Sequence, residues 1–201
     1  MLVGLGLGPG NPELLTLRAV RLLKEADTVF VPGRIARDLV LPYREPVMLD
    51  FPMTDDEAKI SACMQENAAK IAPVAESGLA VFGILGDPNF FSTFSRLCAV
   101  IEEMHPGIEF RTEPGISSIT AFAAAAGVPV NEGFTVSDGT VSATKILLKV
   151  RRPKAKAAEL RAEGYSGFVL VERMFFDDMK VYRNDDLPEK SDYMSVMYAA
   201  K

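Results

Sequence analysis

The chain has 201 residues, 48% hydrophobic and 24% charged, with 22 Lys and Arg against 27 Asp and Glu for a net charge of −5. This is an ordinary globular composition, long enough for one large domain or two small ones with a sizeable core. The acidic balance gives no electrostatic reason to expect a nucleic-acid partner. Cys63, Cys98 and the single histidine, His105, have no metal-ligand spacing, so the thiols are expected to be buried and reduced, and His105 to sit at the surface.

Leu2–Leu7 reads as an apolar strand that runs into Gly8-Pro9-Gly10, with Gly4 and Gly6 already inside it. Glycines there allow a ligand to approach the backbone, and Pro9 stiffens the turn. Asn11-Pro12-Glu13 reads as a helix start, with an apolar stripe at Leu14, Leu17, Val20 and Leu22-Leu23. Thr28–Val31 is the next strand. The stretch from Pro32 to Pro46 reads as turn-rich and holds Arg34, Arg37 and Arg44. Val47–Phe51 reads as a short strand and Asp55–Glu76 as a helix interrupted near its close by Pro73. Leu79–Leu85 has no polar side chain, as expected of a strand buried in a parallel sheet. Gly86-Asp87-Pro88 ends it, and Asn89–Phe94 opens another helix, with Phe90, Phe91 and Phe94 at near-helical spacing. Ile108–Thr112 reads as a strand and Thr120–Ala126 as a small-residue helix.

This alternation implies parallel βαβ units up to about residue 112. Beyond it, Lys145–Val150, Gly167–Glu172, Lys180–Arg183 and Tyr193–Ala199 read as strands with fewer helices between them, hence a second, mixed sheet. The expected architecture is two α/β domains, 1–112 and 113–201, the first with a parallel sheet carrying helices on both faces. No internal repeat is visible. Arg151, Arg152, Lys154 and Lys156 form a basic run that reads as a solvated helix start, although a polycarboxylate ligand could use it. Met48, Met53 and Met64 read as core gap-fillers. The N-terminus lacks the basic lead of a signal peptide, and the apolar stretch Ile119–Val130 is too short and alanine-rich to span a bilayer. A soluble cytoplasmic protein is expected.

The glycine turn excludes two familiar nucleotide sites. Its spacing, G-x-G-x-G-P-G, is not that of the dinucleotide fingerprint, and Asp27 precedes the second strand instead of ending it. No Lys follows the glycines, as a phosphate-binding P-loop requires.

Four segments then occur in one order: Gly4–Gly10 with Leu14-Leu15-Thr16-Leu17; Gly86-Asp87-Pro88; Pro114-Gly115-Ile116-Ser117-Ser118; and Leu170-Val171-Glu172-Arg173. Together they resemble the tetrapyrrole methyltransferase family, which uses S-adenosylmethionine. Leu49–Thr54, Gly86–Phe94, Glu113–Ile119 and Gly127–Val130 narrow the resemblance to the branch that methylates the C(20) bridging carbon of precorrin-2, or of its cobalt complex, in cobalamin synthesis. The chain is somewhat short for that branch, and shortened loops after Asp138 are the expected reason. A methyltransferase for another precorrin position or for the diphthamide precursor remains open. So does a nucleotide- or tetrapyrrole-binding protein without catalysis.

The resemblance implies a donor folded into a cleft between the two domains, S-adenosylhomocysteine as the product, and a homodimer. It carries donor contacts to Pro9, to Gly86, Asp87 and Phe90, to Ser117 and Ser118, and to Leu148 and Met174, the last two beside the adenine. The acceptor carbon is electron-rich through enamine-like conjugation, so the transfer needs little activation and no general base is assigned. Asp87 and Glu172 are the acids to test. The polycarboxylate acceptor makes Arg34, Arg37 and Arg44 candidate partners, since a guanidinium pairs bidentately with a carboxylate. Cobalt would arrive inside the substrate, so no protein metal site is expected.

Overall fold

All five residues of β1 (Leu2–Gly6) are buried, and their alternation creates two packing layers. Leu2 faces one helix layer, while Val3 and Leu5 face the other. β2 (Thr28–Val31) and β4 (Ala80–Ile84) alternate in the same way: Phe30, Ala80, Phe82 and Ile84 join Leu2, and Val29, Val31 and Val81 join Val3 and Leu5. A strand covered on both sides reads as an unbroken apolar run, which is what the sequence shows.

The structure is a computed structural model that describes residues 1–136 and 139–201. It divides into two compact units, Met1–Phe134 and Thr135–Lys201. Asp138, the position after which shortened loops were expected, lies outside the described residues.

The first unit has a five-stranded sheet in the order β3-β2-β4-β1-β5, with β3 at Val47–Met48 and β5 at Phe110–Glu113. Every pairing is parallel. Helices α1 (Leu17–Glu25) and α2 (Arg34–Val40) cover one face, and α3 (Glu57–Ser77) and α4 (Phe94–Met104) cover the other. Phe94 stacks on Phe82 with ring centroids 6.3 Å apart, and it occupies the space above Gly4, where an added Cβ would lie 2.5 Å from the ring. The unit also contains α5 (Ser118–Ala126). The expected division after residue 112 would pass through β5, whose Glu113 is in register with Leu5 of β1. The chain then passes Gly115, packed against Gly6, before α5 begins.

Local differences from the sequence reading have physical causes. Asn11-Pro12-Glu13 starts only a single 3₁₀ turn (Pro12–Leu14), and α1 starts after Thr16, whose hydroxyl accepts from the Ala19 N–H at 3.0 Å. Pro32–Pro46 is not all turn: α2 forms there because Ala36, Leu39 and Val40, at helical spacing, bury one face. Pro73 lies inside α3 without ending it; the helix runs to Ser77, with Gly78 as its C-cap. Met64 is core, whereas Met48, in the two-residue edge strand β3 whose residues are both exposed, and Met53, beyond it, face out. Phe94 is core, but Phe90 and Phe91 are exposed.

In the second unit, β6 (Thr144–Leu148), α6 (Pro153–Ala162), β7 (Gly167–Glu172), β8 (Lys180–Arg183) and β9 (Ser195–Ala200) give a four-stranded sheet in the order β6-β9-β7-β8. It was expected to be mixed, but it is antiparallel at every described pairing. The last strand, β9, inserts between β6 and β7 and runs against both. Val150, Ala157, Leu160, Phe168, Leu170 and Met197 form its core beneath α6. Ile146, Leu148, Val181 and Tyr198 stay exposed.

Candidate functional site

β1 continues into α1 on one face of the parallel sheet, whereas its neighbour β4 continues into α4 on the other. Connections that leave adjacent strands in opposite directions open a crevice at the strand carboxyl ends, where open parallel sheets bind ligands. The glycine turn lies there. Gly8 and Gly86 form an isolated antiparallel bridge, with the Gly86 N–H donating to the Gly8 carbonyl at 2.8 Å and the reverse bond at 3.3 Å. Both have φ +73°, which L side chains rarely adopt.

Beneath the bridge three backbones meet. A Cβ on Gly6 would sit 2.3 Å from the Gly115 nitrogen, and one on Gly115 would sit 2.2 Å from the Gly86 carbonyl oxygen. Only hydrogen fits at either position. This contact locks the ends of β1, β4 and β5 together. Asp87 adds a polar lock: it is 7% exposed, its Oδ1 accepts from the Asn89 N–H at 2.9 Å, and its Oδ2 accepts from the Gly115 N–H at 3.2 Å. Asn89 in turn donates from Nδ2 to Thr112 Oγ1 at 3.2 Å. Glu113, also buried, is held by Arg18 at 3.0 Å and Arg111 at 3.2 Å. Arg18 and Arg111 were not singled out from the sequence, whereas Gly6 was read as part of the glycine turn and Asn89 only as the start of a helix. Glu113 and Gly115 stood inside a quoted segment, but only their packing shows their part.

Around this lock the backbone is open. A Cβ on Gly86 or Gly10 would meet nothing within 4 Å. Pro9, Phe90 and Ser118 are exposed. Ser117 is the N-cap of α5, its hydroxyl accepting from the Ile119 N–H at 3.3 Å. The structure thus brings together Pro9, Gly86, Asp87 and the Ser117–Ser118 helix start in one unit. The carboxylate of Asp87 is engaged by its own backbone.

The three arginines separate. Arg34 opens α2 beyond the carboxyl end of β2, is exposed, and makes no ion pair among the described residues. Arg37 pairs with Asp38 and Glu45. Arg44 is a correction: it lies at the opposite end of the sheet, where its guanidinium donates to the carbonyls of Leu23 (3.2 Å), Lys24 (2.8 Å) and Asp27 (3.5 Å) at the close of α1. A cation there satisfies orphan carbonyls and the negative helix end. Arg44→Ala is therefore expected to lower stability by about 1 kcal/mol without altering ligand affinity, checked by urea unfolding beside calorimetry.

The thiols are only partly buried. Cys63 Sγ donates to the Asp50 carbonyl at 2.8 Å, and desolvation raises its pKa. Burial pushes the Cys98 thiol up to about 12. A raised pKa keeps Cys98 protonated, and the stability this contributes is lost as pH rises from about 9 towards 12. At pH 8 Cys98 is expected to alkylate with iodoacetamide at least tenfold more slowly in the folded protein than in urea, measured by mass spectrometry. His105 caps the end of α4 and contacts Glu76 at 3.2 Å. Among the described residues, no group of three or more His, Cys, Asp or Glu is placed to hold a metal ion, and no helix is long and apolar enough to cross a membrane.

In the second unit, Leu148 and Met174 line one open concavity of about 300 Å³ with Lys149, Tyr193, Met194 and Val196. Glu172 is buried at the end of β7, and its Oε1 accepts from the Asp192 N–H at 3.2 Å. Like Asp87, it is tied to its own unit's backbone. The Lys149 ammonium and Arg151 guanidinium lie 5.2 and 5.3 Å from the Tyr193 ring centroid. Chiefly through the Lys149 hydrogen bond, they lower the pKa of the Tyr193 hydroxyl.

A parallel sheet with an open glycine turn at its switch point, followed by an antiparallel unit, defines a two-unit α/β protein with a crevice at the strand ends of its first unit. The chain belongs to the tetrapyrrole (corrin/porphyrin) methylases, whose family model matches residues 1–172. It is 30% identical to a Methanocaldococcus jannaschii protein named "probable cobalt-precorrin-2 C(20)-methyltransferase", over 96% of this chain and 93% of that one. It is 28% identical to a precorrin-2 C(20)-methyltransferase of Sinorhizobium sp, over 95% and 89%. A solved cobalamin-synthesis-related protein (CobF) of Corynebacterium diphtheriae shares the fold with a TM-score of 0.51 and 14% identity, covering 100% of this chain and 98% of that one.

Proposed function

We propose that this chain transfers a methyl group from S-adenosylmethionine to the C(20) bridging carbon of precorrin-2 or cobalt-precorrin-2. The observation that carries this reading is the near end-to-end similarity to two relatives named for that reaction. The site fits such a donor. Gly86 and Gly10 leave open backbone where a side chain would otherwise stand, Pro9 stiffens that turn, and the α5 start offers N–H groups to a carboxylate. Leu148 and Met174 offer an apolar surface of the kind an adenine needs.

The donor supplies a methyl on positively charged sulfur, an electrophile that needs no activation by the protein. The residues of this chain then have positioning work. Gly8, Pro9 and Gly86 bind the donor by backbone, Ser117 and Ser118 orient its carboxylate, and Phe90 excludes water beside the open glycine. Asp87 holds the Asn89 and Gly115 backbone in place, a positioning residue, and no general base is assigned. Alignment of donor and acceptor supplies roughly 7–11 kcal/mol in well-oriented reactions. Arg34 is a candidate for an acceptor carboxylate. The reading includes a homodimer, supported by α5, which is apolar from Ala121 to Ala126 yet buries none of its residues.

Calorimetry tests the donor site: S-adenosylhomocysteine should bind with micromolar affinity and NAD should not bind. Methyl transfer to enzymatically prepared precorrin-2, with and without cobalt, tests the acceptor. No binding of S-adenosylhomocysteine, or a product methylated elsewhere than C(20), overturns the reading.

A further inference from the structure

Where β6 ends, the chain carries Lys149, Arg151 and Arg152 into the start of α6. Four hydrogen bonds hold this segment against residues 191–195. The Lys149 N–H donates to the Ser195 carbonyl at 2.8 Å, the Ser195 hydroxyl to the Val150 carbonyl at 2.9 Å, the Ser191 N–H to the Arg151 carbonyl at 3.2 Å, and the Ser191 hydroxyl to the Val150 carbonyl. Ser195 is 2% exposed. The three cations are thus mounted on fixed backbone.

Their charges are not neutralised. Nearby Lys154 and Lys156 pair with Glu189 and Glu159, but Lys149, Arg151 and Arg152 form no ion pair among the described residues. Two of them share the Tyr193 ring. The cluster also sits at the positive end of α6, which has neither an acidic first turn nor a side-chain cap. Like charges gathered at a helix N-terminus are unfavourable unless an anion joins them. Beside them lies a second open concavity of about 400 Å³, lined by Arg151, Arg152 and Lys156, with Glu159 as the acid facing it.

We propose that Lys149 and Arg151, which share the Tyr193 ring beside the Leu148–Met174 concavity, together with Arg152 in the adjoining concavity, bind carboxylate arms of the macrocyclic acceptor. The proposal rests on the methyltransferase reading above. Two guanidinium forks and an ammonium match several carboxylates on one ring edge. The donor's own carboxylate is the other source of this chemistry, and the experiment separates the two.

Uroporphyrin III, a stable octacarboxylic porphyrin, serves as the ligand, followed by its fluorescence anisotropy at two salt concentrations. S-adenosylhomocysteine is titrated calorimetrically on the same preparations. The Arg151→Ala/Arg152→Ala protein, altered at exposed positions, is expected to bind the porphyrin at least tenfold more weakly and with a shallower salt dependence, with unchanged S-adenosylhomocysteine affinity. Lys154→Ala/Lys180→Ala, which also removes two charges, should leave porphyrin binding within twofold. The proposal is overturned if the arginine variant binds porphyrin like the parent, if the lysine variant loses as much, or if only S-adenosylhomocysteine is weakened. A parent that binds S-adenosylhomocysteine but not the porphyrin overturns it too, while leaving the donor site standing. A parent that binds no S-adenosylhomocysteine refutes the methyltransferase reading itself.

Discussion

Gly115→Ala is expected to lower the unfolding free energy by about 3 kcal/mol or more and to weaken S-adenosylhomocysteine at least tenfold. The added methyl would lie 2.2 Å from the Gly86 carbonyl oxygen and 2.7 Å from both the Gly6 carbonyl carbon and Cα. These are backbone atoms of two other strand ends, so no side-chain rotation relieves the overlap. Either β5 must withdraw from β1, or the Gly86 turn must move away from Gly8. The same turn is the proposed donor cradle, so stability and affinity should fall together. Gly133→Ala is the control: nothing lies within 4 Å of its added Cβ, and its stability should change by less than about 0.5 kcal/mol. Urea unfolding and calorimetry check both. A Gly115→Ala protein with parental stability would show that the three backbones do not meet as described.

Replacing Asp87 should have the next largest effect. Asp87→Ala leaves the Asn89 and Gly115 N–H groups without an acceptor in a site that is 7% exposed. Each such loss costs about 1–3 kcal/mol, so roughly 3 kcal/mol is expected. For a chain of this size that is a drop in melting temperature of about 6–12 °C. Asp87→Ser can keep the short bond to Asn89 while losing the reach to Gly115, and should give about half the loss. If Asp87 acts by holding the turn, donor affinity should track stability across Ala, Ser and the parent. A variant of parental stability that still loses donor affinity would mark a direct contact instead.

Much of this molecule was legible in local sequence. The apolar runs Leu2–Leu7 and Leu79–Leu85 declare strands buried on both faces, because a parallel sheet between two helix layers leaves no polar side. The glycines at 4, 6, 8 and 10 marked the open turn after β1, and Gly86 and Gly115 stood in segments that resemble the family. What hid was set by partners distant in the chain. α2 was obscured by the prolines and arginines around it, and its apolar face at Ala36, Leu39 and Val40 matters only against the β2 side of the sheet. Arg44 looks like any loop cation until it is seen 20 residues away on the Lys24 carbonyl.

The sequence by itself determined the strand–turn–helix units, the glycine turn and the family. Apolar period, glycine placement and short motifs act over a few residues and survive in any context. Only the tertiary structure decided that β1 lies between β4 and β5, that β9 inserts between β6 and β7, and that Asp87 and Glu172 are held by backbone N–H groups. It also decided that Arg44 belongs to a helix end and that Lys149 and Arg151 share the Tyr193 ring with no ion-pair partner among the described residues. Each of these is a pairing across a long stretch of chain. Its free energy depends on which surfaces the fold brings within contact distance, and that information is carried by the assembled layers, not by any single segment.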